Sequence, residues 1–274
     1  MKPPPFDYLR ADTLDEALDA LAAAGPDARV LAGGQSLLPM LNMRLVRPTI
    51  LVDVMRIGAL RTVEARGGAL EVGAAVRQVE LERRADLDQT QPLLAAALRW
   101  VGHAQTRNRG TVCGSIAHAD PSAELPLALV ALGGEIRLRS RRKRRVVAAE
   151  TFFAGSMATE RRDDEMIESV TFPLRKPGTG YAFREIGRRH GDFAIVACAA
   201  LVDATSARLA IGGVADRPVA RALPLPGPDL DEALDGFAWS LEARDDIHAT
   251  ARYRRDLVRR LGRQVIEEAA RCRG

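Results

Sequence analysis

Residues 28–36 read Ala28-Arg29-Val30-Leu31-Ala32-Gly33-Gly34-Gln35-Ser36. A short apolar run, fit for a buried strand, ends on paired glycines. Leu37 to Leu45 follows as a short helix that Pro39 limits to one or two turns. Upstream, Thr13-Leu14-Asp15-Glu16 opens a helix with a capping box, and Leu14, Ala17, Leu18 and Leu21 share one face. Gly25-Pro26 closes it. Downstream, Ile50-Leu51-Val52-Asp53-Val54 is a second buried-strand run. Helix, strand, glycine loop and strand make a small α/β unit.

The pattern then changes. Leu60–Ala65 and Ala69–Ala74 read as strands joined at Gly67-Gly68, a hairpin signal. Helices are expected at Val79–Arg84 and Pro92–Val101. The stretch from Gly102 to Pro121 is polar, glycine-punctuated and without periodicity, so it reads as a long ordered loop, the kind that carries function. Glu124–Leu132 is an apolar helix. Glu135–Arg139 and Arg145–Ala148 are strands around the basic run Arg141–Arg144, and Phe152–Gly155 and Met166–Phe172 complete this region. Pro177-Gly178-Thr179-Gly180 marks a boundary. Beyond it, strands are expected at Tyr181–Glu185, Ala194–Val202 and Ala207–Ile211. A proline-rich connector spans Leu223–Pro228, and helices follow at Leu230–Phe237, Ser240–Thr250 and Ala251–Arg271.

The 274 residues suffice for two or three small cores, and 47% hydrophobic content marks a globular chain. The net charge is +4 and the cations are nearly all arginine, with only Lys2, Lys143 and Lys176 as lysines. Arginine binds planar anions through a fork of donors, so nucleic acid, an anionic cofactor and plain solvation all compete for it. No apolar run of ~18 residues indicates a membrane span, and the start of the chain lacks a signal-peptide core, so a cytoplasmic location is expected. Cys113, Cys198 and Cys272 are far apart with no CxxC, and His103, His118, His190 and His248 have no metal-ligand spacing. Neither a disulfide framework, a metal site nor a cysteine-held iron–sulfur cluster is expected in this chain.

The chemistry therefore rests on two glycine loops. Paired glycines after a strand can leave backbone N–H groups free to bind phosphate oxygens. The same loop also serves as a tight turn, and it matches neither GxGxxG nor GxxxxGK[ST]. In the second stretch, the Thr111 and Ser115 hydroxyls and the Gly114 N–H can bind a further phosphate, and Asp120 can accept from sugar hydroxyls. Asp120-Pro121 reads equally as a turn starter, His118 as a hydrogen-bonded loop histidine and Cys113 as a packed small residue.

Taken together and in order, these motifs resemble the FAD-binding medium subunit of the molybdenum hydroxylases, a group that includes carbon monoxide dehydrogenase and xanthine dehydrogenase-like enzymes. The matching segments are LAGGQSLLPMLNMRLVRP (31–48), GHAQTRNRGTVCGSIAHADPSAELP (102–126), FFAGSMATERRDDEMIESVTFP (152–173), FREIGRRHGDFAIV (183–196) and YRRDLVRRLGRQVIEEA (253–269). Cys113 departs from the glycine common in such proteins. The resemblance implies an α+β fold of the vanillyl-alcohol-oxidase type. Two FAD-binding subdomains (1–58 and 59–175) would be followed by a C-terminal α/β flavoprotein domain (176–274). It further implies FAD gripped by Ala32, Gly33, Gly34, Gln35, Ser36 and Leu37 and by Thr111, Gly114 and Ser115, with His118 and Asp120 nearby. Ile167 would meet the flavin edge through its backbone, and Arg184 would stand as a cation by the flavin N1/C2 oxygen, where sequence alone reads a surface arginine. Arg107 and Arg109 would support the loop, and His190–Phe193 would approach the ring.

The resemblance also implies a division of labour. No catalytic side chain or metal ligand falls in this chain. A large subunit carries molybdopterin, a small one carries two [2Fe–2S] clusters, and FAD passes their electrons to an outside acceptor. The assembly would be a heterotrimer or its dimer, without nucleic acid or membrane insertion. Two rivals remain. One is an autonomous flavin oxidase or reductase of the same fold, a UDP-sugar reductase included, for which no proton-donor pair stands out. The other is a basic nucleic-acid-binding protein using Arg139–Arg145 and Arg252–Arg263. Aromatic residues are only 4% and are not interleaved with those runs, which weighs against it.

Overall fold

A computed structural model describes residues 2–273. The first unit holds β1 (Asp7–Arg10), α1 (Leu14–Ala24), β2 (Ala28–Leu31), α2 (Leu37–Asn42) and β3 (Ile50–Asp53). Its three strands are parallel, in the order β1-β3-β2. Thr13 Oγ1 accepts the Glu16 N–H at 3.2 Å, and Glu16 reaches back to the Asp12 N–H at 2.9 Å. That cap starts α1, whose Ala17, Leu18 and Leu21 are buried.

The second unit holds β4 (Val63–Arg66), β5 (Ala69–Gly73), α3 (Gln78–Glu82), α4 (Leu87–Thr90), α5 (Pro92–Leu98), α6 (Ala104–Arg109), α7 (Val112–His118) and α8 (Glu124–Leu132). It continues with β6 (Glu135–Arg139), β7 (Arg144–Ala148), α9 (Ala149–Phe152), β8 (Phe153–Gly155), β9 (Ala158–Thr159) and β10 (Met166–Pro173). Its main sheet is antiparallel, in the order β4-β5-β10-β6-β7. Every residue of α8 is buried, so this helix forms the centre of the larger core.

The third unit holds β11 (Gly180–Ile186), β12 (Val196–Val202), β13 (Ala207–Gly212), β14 (Val219–Leu223), α10 (Leu230–Ser240) and α11 (Ala251–Arg271). Its four strands form an antiparallel meander. One face packs on α10 and α11 in its own core, and the other packs on α5 and α8.

Three expectations need correction. Residues 102–121 are not an irregular loop but contain α6 and α7, which are too short to display a helical period. Ser240–Thr250 is not a helix. Asp246 Oδ1 takes the N–H groups of His248 and Ala249 at 2.8 and 2.9 Å, so a side chain replaces the helical carbonyl as acceptor. The strand β14 stands where no strand was read, between Pro218 and the proline-rich connector.

Candidate functional site

The loop after β2 touches the segment between α6 and α7. A Cβ on Gly33 would overlap the Arg109 carbonyl oxygen and lie 2.6 Å from Gly110 Cα, so only glycine lets the two backbones meet. Gly34 adopts φ +71°, which turns the chain into α2. The Gly34 and Ser36 carbonyls accept from Leu38 and Met40 at 3.1 and 3.2 Å, and Gln35 Nε2 donates to the Gly33 carbonyl at 3.2 Å. Among the described residues, no acceptor takes the backbone N–H of Gly33, Gly34, Gln35, Ser36 or Leu37. Five successive donors beside a second loop suit an anion with several oxygens, and a pyrophosphate is one.

Across the contact, Thr111 is buried and caps α7: its Oγ1 accepts the Gly114 N–H at 3.0 Å. The Gly114 donor is therefore already taken, which corrects the expectation that it is free for phosphate. The Cys113 N–H has no acceptor, and the Ser115 hydroxyl has no partner among the described residues. The Cys113 side chain faces inward to the Val72 carbonyl at 3.5 Å, and burial pushes its thiol far up, so it is a packed residue.

His118 ends α7 and is half-buried. Ala119 follows in the left-handed region at φ 54°, and its carbonyl accepts from Met157, also at φ 54°. Asp120 Oδ1 accepts the Ser122 N–H at 2.8 Å, the turn that leads into α8. Its other oxygen has no partner within the described residues. Ile167 is buried beside a bulge in β10, where pairing with β6 slips between Ile167 and Ser169.

Of the arginines expected at the site, one departs from its expected place. Arg184 does not face the FAD-binding half. Side chains alternate along β11, so Ala182, Arg184 and Ile186 face α11, while Tyr181, Phe183 and Glu185 face the other half. Arg184 Nε sits 2.6 Å from Glu268 on α11. Arg107 supports its loop: it pairs with Glu82 at 2.8 Å and donates to the Val101 carbonyl at 2.9 Å.

Arg77 was missed. Its backbone bridges Thr111, and directly paired residues carry their side chains on one side. Nearby Glu80 is spent on the Arg77 N–H at 2.8 Å and on Arg61 at 3.2 Å. Arg77 Nε is buried without a partner among the described residues. Nothing local in the sequence signals this, because it depends on where β5 delivers the chain. On the far side, the C-terminal unit leans onto residues 100–103. The rings of Trp100 and His190 lie 5.1 Å apart, and a Cβ on Gly191 would fall 2.7 Å from His103 Nδ1. No group of three or more metal-ligating side chains forms among the described residues, and no helix there is long and apolar enough to cross a membrane.

The basic runs are largely matched to acids. Arg141 pairs with Asp15 and Asp19, Arg145 with Glu165, Arg259 with Asp235 and Asp256, and Arg263 with Asp231 and Glu267.

Residues 4–175 match the family described as "FAD binding domain in molybdopterin dehydrogenase". The chain is 34% identical to the 6-hydroxypseudooxynicotine dehydrogenase complex subunit alpha of Paenarthrobacter nicotinovorans, with 98% of this chain and 96% of that one covered. It superposes on a chain of quinoline 2-oxidoreductase from Pseudomonas putida 86 with TM-score 0.90 at 35% identity, covering 99% of each. On a chain of carbon monoxide dehydrogenase from Hydrogenophaga pseudoflava the TM-score is 0.92 at 31% identity, covering 99% of this chain and 100% of that chain. The α+β fold agrees with these likenesses. The chain belongs to the FAD-binding medium subunits of the molybdenum hydroxylases, and is the flavoprotein subunit of an oxidoreductase.

Proposed function

We propose that the chain holds FAD where the Gly33–Leu37 loop meets the Thr111–Asp120 segment, and that it is the electron outlet of a cytoplasmic assembly of three kinds of subunit. Electrons released at a molybdopterin centre in a large partner pass through [2Fe–2S] clusters in a small partner, and this chain delivers them to an external acceptor. The observation that carries the reading is the row of five unclaimed N–H groups at the contact of the two loops. FAD, when bound, exchanges electrons singly or in pairs and so joins one-electron carriers to a two-electron acceptor.

The residues divide the binding work. The N–H groups of residues 33–37, with that of Cys113, take pyrophosphate oxygens, and the Ser115 hydroxyl and the Arg77 guanidinium add donors. Asp120 accepts from sugar hydroxyls through the oxygen that Ser122 leaves free, with His118 beside it. The Ile167 backbone at the bulge borders the flavin edge. His190–Phe193, resting on Trp100 and His103, exclude water from one side. The subdomains run 1–58 and 59–175, and residues 176–274 cover them.

Visible spectroscopy of the purified chain tests the reading. Flavin bands without iron–sulfur absorption are expected, and a colourless protein that rejects added FAD would overturn it. Co-purification with two further chains supports the outlet role, whereas a lone chain that turns over substrate would replace it with an autonomous oxidase.

A further inference from the structure

The segment that follows the first glycine loop is apolar and lies at the surface. Residues 38–47 read Leu38-Pro39-Met40-Leu41-Asn42-Met43-Arg44-Leu45-Val46-Arg47. Three leucines and two methionines stand in this stretch, yet only Leu41 among them is buried. Leu38, Met43 and Leu45 are exposed at 43%, 52% and 66%. Apolar residues scattered singly over a surface are ordinary, but three of them in one short stretch form a patch.

The backbone holds this ridge in shape. The N–H groups of Met43, Arg44 and Leu45 donate to the Pro39, Leu41 and Met40 carbonyls at 2.9, 3.0 and 2.9 Å. Arg44 sits in the left-handed region at φ 60°, a conformation that costs energy in most residues other than glycine. The ridge also starts on the glycine loop. The Leu38 N–H donates to the Gly34 carbonyl at 3.1 Å, and a Cβ on Gly34 would lie 3.0 Å from Leu38 Cδ1. A molecule docked on the ridge therefore rests beside the N–H groups proposed for the pyrophosphate.

The charge of the ridge is unbalanced. It carries Arg44 and Arg47 and no acid. Basic runs elsewhere meet carboxylates, as Arg141 meets Asp15 and Asp19. By contrast Arg10, Arg29, Arg44, Arg47 and Arg56, the arginines of residues 2–58, form no ion pair among the described residues. Apolar side chains edged by free guanidinium groups fit a protein face with an apolar hollow and an acidic rim, and methionine and arginine are enriched in such contacts. A second copy fits poorly, because a two-fold contact would set the same arginines against each other. A lipid surface also fits poorly: α2 has only six residues, and residues 38–47 hold no Trp, Phe, Tyr or Lys. A nucleic-acid backbone would meet leucine and methionine instead of donors.

We infer that the 38–47 ridge is the docking surface for the iron–sulfur subunit, which meets it with an apolar hollow rimmed by acids. This rests on the function proposed above, in which electrons reach FAD from that subunit and require it to sit close to the cofactor. Leu38, Met43 and Leu45 supply the contact, and Arg44 and Arg47 orient it.

The test titrates the full-length, FAD-loaded chain with the iron–sulfur subunit purified from the intact complex, by calorimetry at ~50 and ~300 mM salt. Leu45→Glu should raise the dissociation constant ~10-fold or more, the scale of a lost anchor residue. Arg47→Glu should weaken binding and flatten its salt dependence, because screening weakens the wild-type contact. Both variants should keep the wild-type FAD affinity and melting temperature, since both side chains are exposed. Ile247→Glu, at an exposed apolar residue of the C-terminal unit, should bind the subunit as the wild type does. Wild-type affinity in both Leu45→Glu and Arg47→Glu would overturn the surface and leave the electron-outlet reading standing. Unchanged subunit affinity, with self-association or binding to phosphatidylserine vesicles lost in Leu45→Glu, would give the ridge to a second copy or to lipid and overturn the inference. If the wild type binds no iron–sulfur subunit, the outlet reading fails and this inference fails with it. If Leu45→Glu loses its structure by circular dichroism, Met43→Glu and Arg47→Glu decide.

Discussion

Gly33 and Arg184 illustrate opposite limits at the scale of single residues. A side chain at Gly33 collides with backbone, which cannot swing aside, so the loops must part. Gly33→Ala is expected to lower FAD affinity by ~10-fold or more, the scale of one or two lost charge-assisted hydrogen bonds, with the far-ultraviolet spectrum unchanged. A flavin fluorescence titration measures it, and unaltered affinity would contradict the loop assignment. Arg184→Gln should leave FAD affinity and the flavin spectrum as they are. It removes a half-exposed pair with Glu268, worth less than about 1 kcal/mol. A shifted flavin spectrum would return Arg184 to the cofactor. The paired glycines could be read from the sequence because their requirement is local. The direction of Arg184 could not, because one step along a strand reverses the face, and the partner on α11 lies 84 residues away.

Among the elements, α7 is the clearest case of function resting on a short helix. Seven residues gain little from helix propensity, so its cap and its packing hold it. Thr111→Ala removes the cap and should cost about 1 kcal/mol, seen as a lower urea midpoint, while Thr111→Ser should recover most of it. A Thr111→Ala midpoint equal to the wild type would show that packing alone holds α7. Longer elements were legible: α1 from its capping box and periodicity, α11 from its apolar face, and α8 from its unbroken apolar run. The segment from 102 to 121 was not, since helices of six and seven residues complete too few turns to repeat a pattern. The 241–250 stretch failed for a related reason: its composition allows a helix, but Asp246 captures the N–H groups that a helix would need.

At the scale of the whole molecule, two buried carboxyl groups shape the pH response. Glu124 and Glu185 ordinarily titrate near 4.5 and are raised in the folded chain to about 7 and about 8. Between those values the folded chain holds more protons than the unfolded one, so stability falls as pH rises from about 4.5 and levels off above about 8. Asp203, lowered to about 2 by the N–H and hydroxyl groups of its turn, acts in the opposite sense, and its contribution is lost only in stronger acid. Melting temperatures between pH 5 and 9 should therefore decline with pH in the wild type and decline less in Glu185→Gln; equal slopes would refute this. Arg254→Met leaves the Ile195 and Gly213 carbonyls and Asp246 without their buried donor and should destabilise the chain by about 3 kcal/mol, measured by thermal unfolding. A melting temperature within a degree or two of the wild type would mean that water replaces the guanidinium. The sequence by itself determined the Gly33-Gly34 loop, most of the strands and the longer helices, and through its ordered motifs the family, because these rest on local conformation and short-range periodicity. Only the tertiary structure decided that Gly33 meets Gly110, that Arg77 stands by Thr111, that Arg184 turns away and that Glu124 and Glu185 are buried. Each of those depends on strand register and on how separately formed units pack, which no short stretch of chain encodes.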